Sequence, residues 1–600
     1  MFLVLLLAFA LRLSHLGAKS LWQDEIFTAA IASTGNRLLD VVTIPLYNTA
    51  LPAPPLYFLV THFFLYVGDN DFLLRFPALL FGVLGVSATY ALGARLFGKS
   101  EGLVGAFLLS VSSLHVRYSQ DARFYSLLAF LSLLSLYFLY RALSDNRRIW
   151  WIGFVACTVL NVYNHLFGLL VLLSQVVFVA GLWIRNSSMA RRDYFAAAQP
   201  TVPPHKADCA HDKRKNLAAL GSLAIIVVLY APMIPHLLRG LTSRKGLGGM
   251  ATPGISLTPS FLAQVLEAWS SGPGVALLLF FIPFIIGVVA CVRARRTNLW
   301  LAFSWLVVPF AVLFMLPAKH GFRPRYVLFM LPLYLIFIAR GLTFLSEVVD
   351  NWLERRRVRR TGVFLALSSA VLVFASWSAL QGYYSEQRSD WKAVADLLMR
   401  SFSPGEVIVS PGPFPQVVLP RYNENLAEAT FLIGGSELAL SSDGYGDEGV
   451  WFIGPGRESM ISIESDLSET PARLFKVVFE VDPDSASRGL RLSIAPTMYS
   501  DLWVIYVRQG LDAEEVIQRY EEALEVVPAT VASSIHTTLG DLYREQPALQ
   551  EAVAHYRQAT ILDPEAAEPH RRLAEIYENQ GMEAEAAAEW KTYEQLMDQK

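Results

Sequence analysis

The sequence predicts a polytopic α-helical membrane protein of about eleven spans, followed by a small α/β domain on the outer face and a domain of α-helical repeats. Three observations carry the prediction. The 600 residues are 54% hydrophobic with a mean hydropathy of +0.38, too apolar for a soluble globular chain. Apolar runs of about 20 residues recur as far as residue 380, and that is the length a helix needs to cross a bilayer core. Beyond residue 381 the pattern changes to short β-branched runs, then to Ala, Glu, Leu and Arg at helical spacing. The expected domains are therefore 1–380, 381–510 and 511–600.

The runs fall at 1–16, 76–96, 102–118, 124–141, 149–164, 166–184, 217–238, 273–292, 299–316, 326–345 and 362–380. The first reads as a span and not as a cleaved signal, since no basic region precedes it and many spans follow. Lys and Arg gather in alternate loops: Arg95 and Lys99; Arg141, Arg147 and Arg148; 185–215; Arg293, Arg295 and Arg296; and 355–360. Basic loops stay on the cytoplasmic side. The N-terminus is thus expected in the cytoplasm, and an odd span count puts the C-terminal domain in the periplasm or its equivalent. The expected location is the plasma (inner) membrane.

Residues 54–67 are apolar but only about 14 long, which suits an interfacial or re-entrant helix. Counting them as a span would turn every later basic loop outward. The loop 185–216, with Pro203 and Pro204, reads as a disordered cytoplasmic linker.

Strands are expected at 407–410, 450–453, 476–479 and 503–506, after a helix at 391–402. In the last domain Leu539-Gly540-Asp541-Leu542-Tyr543 recurs 34 positions on as Leu573-Ala574-Glu575-Ile576-Tyr577. This spacing resembles tetratricopeptide repeats, which stack helix pairs into a groove. A protein partner there is one reading; a stabilising cap is the plainer one.

Composition excludes some functions. A net charge of -2 gives no field that would draw nucleic acid. Cys157, Cys209 and Cys291 have no zinc-site spacing and predict no disulfide.

Four outer loops hold the residues that could do chemistry. Asp24 and Glu25 follow the first run; a helix start would also favour such acids. Asp121, Arg123 and Tyr125 lie between two runs, where an Asp can simply cap a helix. Lys319, His320, Arg323, Arg325 and Tyr326 form a basic knot on the face where cations are scarce. Lipid-headgroup anchoring would explain it, and so would a phosphate clamp. His165 sits at a loop corner, a place where structural histidines are common. Cations for a phosphate leaving group and an acid for an incoming hydroxyl would together serve sugar transfer with inversion.

Leu21-Trp22-Gln23-Asp24-Glu25, Pro54-Pro55-Leu56-Tyr57, Leu74-Arg75-Phe76-Pro77-Ala78-Leu79, Asp121 to Ser126, Arg323-Pro324-Arg325-Tyr326 and Ser389-Asp390-Trp391-Lys392 occur in this order. In this the chain resembles glycosyltransferase family 39, the protein O-mannosyltransferase and aminoarabinose transferase group with the GT-C fold, over about residues 1–400. The resemblance implies a polyprenyl-phosphate sugar donor, transfer on the outer face, and a protein, glycan or lipid acceptor. It makes Asp24 the catalytic base with Glu25 beside it, and Asp121 a second acid. Arg323, Arg325 and Lys319 would hold the donor phosphate, and Arg123, Tyr125, His165, His320 and Tyr326 would line the substrate. No cofactor is implied; a divalent metal stays open. Leu51-Pro52-Ala53 departs from the acid and Lys that aminoarabinose transferases carry before this Pro, which disfavours lipid A as acceptor.

Two competing readings remain. A transporter or flippase would need ionisable residues in mid-span and inverted repeats. An assembly protein working through its repeats would need only one span.

Overall fold

A computed structural model describes residues 1–47, 53–196, 206–242, 259–294, 296–315, 323–354, 361–386, 390–403, 405–410, 414–433, 450–455, 474–479, 502–507, 512–527, 529–546 and 548–598. The chain divides into two compact units. Met1–Ala18 and Phe27–Glu386 belong to the first; Lys19–Ile26 and the described residues from Asp390 onward belong to the second.

The first unit is helical. Its helices are α1 (Phe2–Leu13), α2 (Gln23–Ala32, whose first turn belongs to the second unit), α3 (Leu38–Tyr47), α4 (Leu56–Leu65), α5 (Asp71–Leu96), α6 (Lys99–Val111), α7 (Ser113–Tyr118), α8 (Tyr125–Asp145), α9 (Arg148–Asn164) and α10 (Gly168–Ala196). Then come α11 (Lys206–Tyr230), α12 (Ile234–Thr242), α13 (Pro259–Trp269), α14 (Val275–Ala294), α15 (Arg296–Leu306), α16 (Val308–Met315), α17 (Leu331–Glu354) and α18 (Thr361–Ser385).

Among the described residues seven helical segments are long and apolar enough to cross a membrane: Asp71–Leu96, Tyr125–Asp145, Gly168–Arg185, Arg214–Leu238, Thr297–Met315, Pro324–Val349 and Val363–Ser385. They match seven of the expected runs. The runs at 1–16 and 273–292 appear as shorter apolar helices, Phe2–Leu13 and Val275–Cys291. The run at 149–164 is α9, of 17 residues. The run at 102–118 is broken at Ser112, whose extended backbone (φ -62, ψ 117) separates α6 from α7. The short apolar stretch at 54–67 is α4, whose 10 residues rise only about 15 Å, half a bilayer core.

The loop expected to be a disordered linker differs. α10 continues to Ala196 and α11 starts at Lys206, so helix covers most of 185–216. Ala, Arg and Lys there are strong helix formers. The Pro203-Pro204 stretch lies outside the described residues.

α17 is the enclosed helix of this unit: from 333 to 339 no side chain is more than 1% exposed. α14 crosses it where both backbones are bare. A Cβ on Gly287 would meet the Phe337 carbonyl oxygen at 2.0 Å, and one on Gly341 would meet that of Pro283 at 1.9 Å. Small residues permit such crossings in apolar surroundings, where contact area replaces the hydrophobic drive.

The second unit opens with α19 (Trp391–Ser401), capped by the Asp390 carboxylate, which accepts from the Ala393 amide at 3.2 Å. A five-stranded sheet follows: β1 (Val407–Ser410), β2 (Thr430–Ile433), β3 (Val450–Pro455), β4 (Leu474–Phe479) and β5 (Leu502–Val507), in the order β2-β1-β3-β5-β4. β1 runs parallel to β2 and β3, while β5 is antiparallel to β3 and β4. The edge strand β2 was not among the expected strands; its four partly exposed residues leave little pattern to read. Helix α20 (Phe414–Tyr422) lies between β1 and β2 in sequence.

Five helices close the chain: α21 (Ala513–Leu524), α22 (Ala529–Glu545), α23 (Leu549–Leu562), α24 (Ala567–Asn579) and α25 (Glu583–Asp598). The repeated Leu539 and Leu573 are buried, as are Tyr556 and Tyr577. Gly540 is needed here: a Cβ would meet the Tyr556 ring at 2.5 Å. α21 is tied to the sheet. The buried Glu406 accepts from Trp451 Nε1 and from the Tyr506 hydroxyl, both at 2.7 Å, with Arg519 Nη2 at 3.9 Å. A buried carboxylate with this many partners is expensive to disturb.

Candidate active site

The Asp24 loop belongs to the second unit. Its Glu25 is fully buried, and the carboxylate accepts from the Trp22 amide at 3.3 Å. Trp22 precedes the first helical residue, so this is one half of a capping box. Glu25 therefore spends an oxygen on starting α2, while Asp24, next along, stays partly exposed. Ser20 and Leu21, just upstream, are held by Asp390 and Tyr422.

The Asp121 loop belongs to the first unit and joins α7 to α8. Asp121 is 2% exposed, and its carbonyl accepts from the Arg123 amide at 2.6 Å. Arg123 Nη1 donates to Thr28 Oγ1 at 3.2 Å and the guanidinium lies 4.9 Å from the Phe124 ring centre. Tyr125 is buried at the first turn of α8.

Five of the expected site residues gather around one aromatic ring system. His165 stacks on Phe124 at 4.1 Å and meets Phe167 edge-on at 4.9 Å. Phe167 meets Tyr326 at 5.8 Å, and Tyr326 faces Tyr125 at 6.3 Å. Arg325 is 9% exposed, with its guanidinium carbon 5.8 Å from the Tyr125 ring centre and 5.4 Å from that of Tyr326. Such contacts hold a guanidinium without neutralising it. Arg323 directly precedes the 3-10 turn Pro324–Met330 that carries Arg325, and is partly exposed. His165 is neutral at physiological pH: burial, then the charge of Arg123, lowers it to about 3.

The frame that holds this loop was not among the expected site residues. Gln120 sits beside Asp121 and its Nε2 donates to the carbonyls of Arg12 and Ser14 at 2.9 and 2.6 Å. Its Oε1 accepts from the Tyr383 hydroxyl at 2.6 Å. Arg12 is fully buried within α1. It donates to the carbonyls of Ala8 and Ser110 at 3.0 Å, to that of Leu109 at 3.2 Å, and pairs with His115 Nδ1 at 2.8 Å. Leu109 and Ser110 lie at the end of α6, where carbonyls have lost their helical partners. A lone Arg in an apolar run is the signal for it. Arg117, at the end of α7, pairs with Glu386 at 2.5 Å.

Lys319 and His320 lie outside the described residues. Among the described residues no three His, Cys, Asp or Glu side chains gather as a metal site.

Residues 52–197 match the sequence profile of the family described as dolichyl-phosphate-mannose-protein mannosyltransferase, and residues 540–581 match a TPR repeat. No curated protein sequence matches the chain. Among solved structures it is similar to ArnT from Cupriavidus metallidurans, at TM-score 0.50 in the apo state and 0.52 bound to undecaprenyl phosphate. Each match is 14% identical and covers 84% of this chain and 97% of ArnT. The oligosaccharyltransferase AglB from Archaeoglobus fulgidus is similar at 12% identity over 76% of this chain and 69% of that one, with a TM-score of 0.43. The likeness to ArnT shows a GT-C fold, that of a multi-span membrane protein, with a mannosyltransferase-family segment inside it.

Proposed function

We propose that the protein is a membrane glycosyltransferase that moves a sugar from a polyprenyl-phosphate donor to an acceptor hydroxyl at the outer face of the plasma (inner) membrane. The observation that carries this reading is the aromatic cradle of Arg325, whose guanidinium lies against the Tyr125 and Tyr326 rings in a cluster continued by Phe167, His165 and Phe124. The undecaprenyl phosphate bound to ArnT and the mannosyltransferase-family segment support the donor class. The alternating basic loops support eleven spans, a cytoplasmic N-terminus and an outer second unit.

Arg323 and Arg325, with Lys319, hold the donor phosphate oxygens through guanidinium and ammonium N–H groups. Neutral His165 adds no charge and lines the sugar side with Arg123, Tyr125, Tyr326 and His320. Asp24 takes the proton of the acceptor hydroxyl as its oxygen attacks the anomeric carbon. The bond from that carbon to the phosphate oxygen breaks on the opposite face, and polyprenyl phosphate leaves with the electron pair. Configuration inverts, and the phosphate needs no proton to depart. Glu25 serves the loop and Asp121 balances the guanidinium charge.

The flippase reading would draw on the buried Arg12, in the last turn of α1. That guanidinium is committed to three carbonyls and a histidine, the pattern of a structural brace and not of a moving charge.

The test is direct. Purified protein is incubated with a panel of polyprenyl-phosphate sugars and acceptors, and free polyprenyl phosphate is read by mass spectrometry. Release with at least one sugar is expected, and no release across the panel counts against the reading.

A further inference from the structure

The second unit's first job concerns eight residues far from it in sequence. Lys19–Ile26, the loop that carries Asp24, packs with the α/β domain. Two grips hold it. The buried Ser20 donates from Oγ to Asp390 Oδ1 at 3.1 Å and accepts from the Lys392 amide at 3.3 Å. The Leu21 amide donates to the Tyr422 hydroxyl at 2.9 Å, across 401 positions of sequence, and the Leu21 side chain is fully buried.

The geometry points to Tyr422, with Ser20 and Asp390, as positioning residues for Asp24: the α/β domain is the clamp that sets where this carboxylate stands. The inference rests on the reading of Asp24 as base. It adds a role for a domain that sequence left without one, and for a tyrosine at the end of α20 that no motif marks.

The physical reason is leverage. Asp24 is three residues past the Leu21 amide, within the first turn of α2. At that distance, fixing Ser20 and Leu21 fixes the entry of the helix and therefore the direction of the Asp24 side chain. The clamp is itself stiff. Asp390 caps α19 with the same oxygen that Ser20 reaches, so loop and helix start share one acceptor. Lys392 lies 5.4 Å from the Tyr422 ring centre and joins the two grips.

The far end of α19, about 16 Å away, is bound to the first helix after the sheet. Ser401 Oγ donates to Glu522 Oε2 at 2.8 Å, Arg519 Nη1 donates to the Ser401 carbonyl at 2.8 Å, and Arg400 pairs with Glu525. One helix thus carries the Asp24 loop at its start and α21 at its end.

The experiment uses the full chain in detergent, as wild type, Tyr422→Phe, Ser20→Ala and Asp24→Asn. Hydrogen exchange over residues 19–26 is read by mass spectrometry, alongside binding of undecaprenyl phosphate and turnover on the donor panel. Tyr422→Phe keeps the ring and removes one acceptor, so exchange at Leu21 is expected to speed up about tenfold. A misdirected base costs about tenfold in kcat, with undecaprenyl phosphate binding and donor KM unchanged. Ser20→Ala is expected to act in the same direction.

Unchanged exchange in both variants overturns the clamp. So does faster exchange with wild-type kcat, which would make the contact structural only. Full turnover in Asp24→Asn would instead defeat the base assignment, and the exchange data would still decide whether Tyr422 holds the loop.

Discussion

The loop that carries Asp24 and the loop that carries Asp121 are held by different parts of the chain. The first is gripped by the α/β domain, through Asp390, Lys392 and Tyr422. The second is braced by the ends of membrane helices, through Gln120, Arg12 and Tyr383. Asp24 is partly exposed and Asp121 is 2% exposed. A carboxylate open to solvent can meet an incoming hydroxyl and shed the proton afterwards. A carboxylate buried in a loop that also carries Arg123 is suited to fixing charge in place. The two acids are thus not interchangeable, although a sequence presents them as similar pairs of charge beside apolar runs.

The largest expected effect separates them. Asp24→Asn should lower turnover by about 10²- to 10⁴-fold, the usual worth of a general base, with a smaller change in the thermal unfolding midpoint than Asp121→Asn. Asp121→Asn should lower the midpoint as well, because the change falls inside a buried network. Equal loss of midpoint in both would erase the distinction. Next in size, Arg325→Lys should weaken donor use by roughly tenfold, since an ammonium cannot match the planar fork of a guanidinium on phosphate. Donor KM and kcat both at wild-type values would reduce Arg325 to a packing residue between Tyr125 and Tyr326.

How much of this was legible follows from distance along the chain. Asp24, Asp121 and Arg325 stand out because each is charged beside apolar spans, and local motifs mark them. Gln120 is adjacent to Asp121, yet its role depends on Tyr383, 263 positions away, and on carbonyls of α1. Arg12 reaches Ser110 across 98 positions. Tyr422 reaches Leu21 across 401. Backbone carbonyls and amides carry no sequence signature, so a side chain that serves them cannot be paired by inspection. The break at Ser112 is hidden for the same reason, since the Arg12 guanidinium satisfies the carbonyls it frees. The repeats were readable because their packing is local: Leu539 and Leu573 are 34 positions apart and fill equivalent places.

The brace can be tested by stability. Gln120→Ala removes the partner of the Tyr383 hydroxyl and the donor to the α1 carbonyls, and should cost about 1–3 kcal/mol. Thermal unfolding in detergent measures it; no change would mean that water substitutes and that the loop is held elsewhere.

The smallest effect lies outside both loops, in the repeats. His536 Nδ1 is 2.9 Å from His555 Nδ1, so one nitrogen must donate to the other. Burial, then the proximity of His555, lowers His536 to about 4, and burial lowers His555. Tyr543 stacks on His555 at 5.3 Å, and Glu521 favours the charged form of that histidine. With folded values below the unfolded value near 6.5, the unfolded chain binds more protons as pH falls. Stability is therefore full above about 6.5 and declines as pH falls toward about 4. Protection factors over 529–562, corrected for the intrinsic pH dependence of exchange, should fall across this window, and His536→Gln should flatten the fall. The same slope in the variant would clear the pair of any role.

The most direct test of the central claim is single-turnover release of polyprenyl phosphate by wild type and by Asp24→Asn, with undecaprenyl phosphate binding measured on the same samples. Release is expected from wild type and, in the variant, binding at wild-type affinity with release lost. Release by the variant at the wild-type rate would contradict that claim.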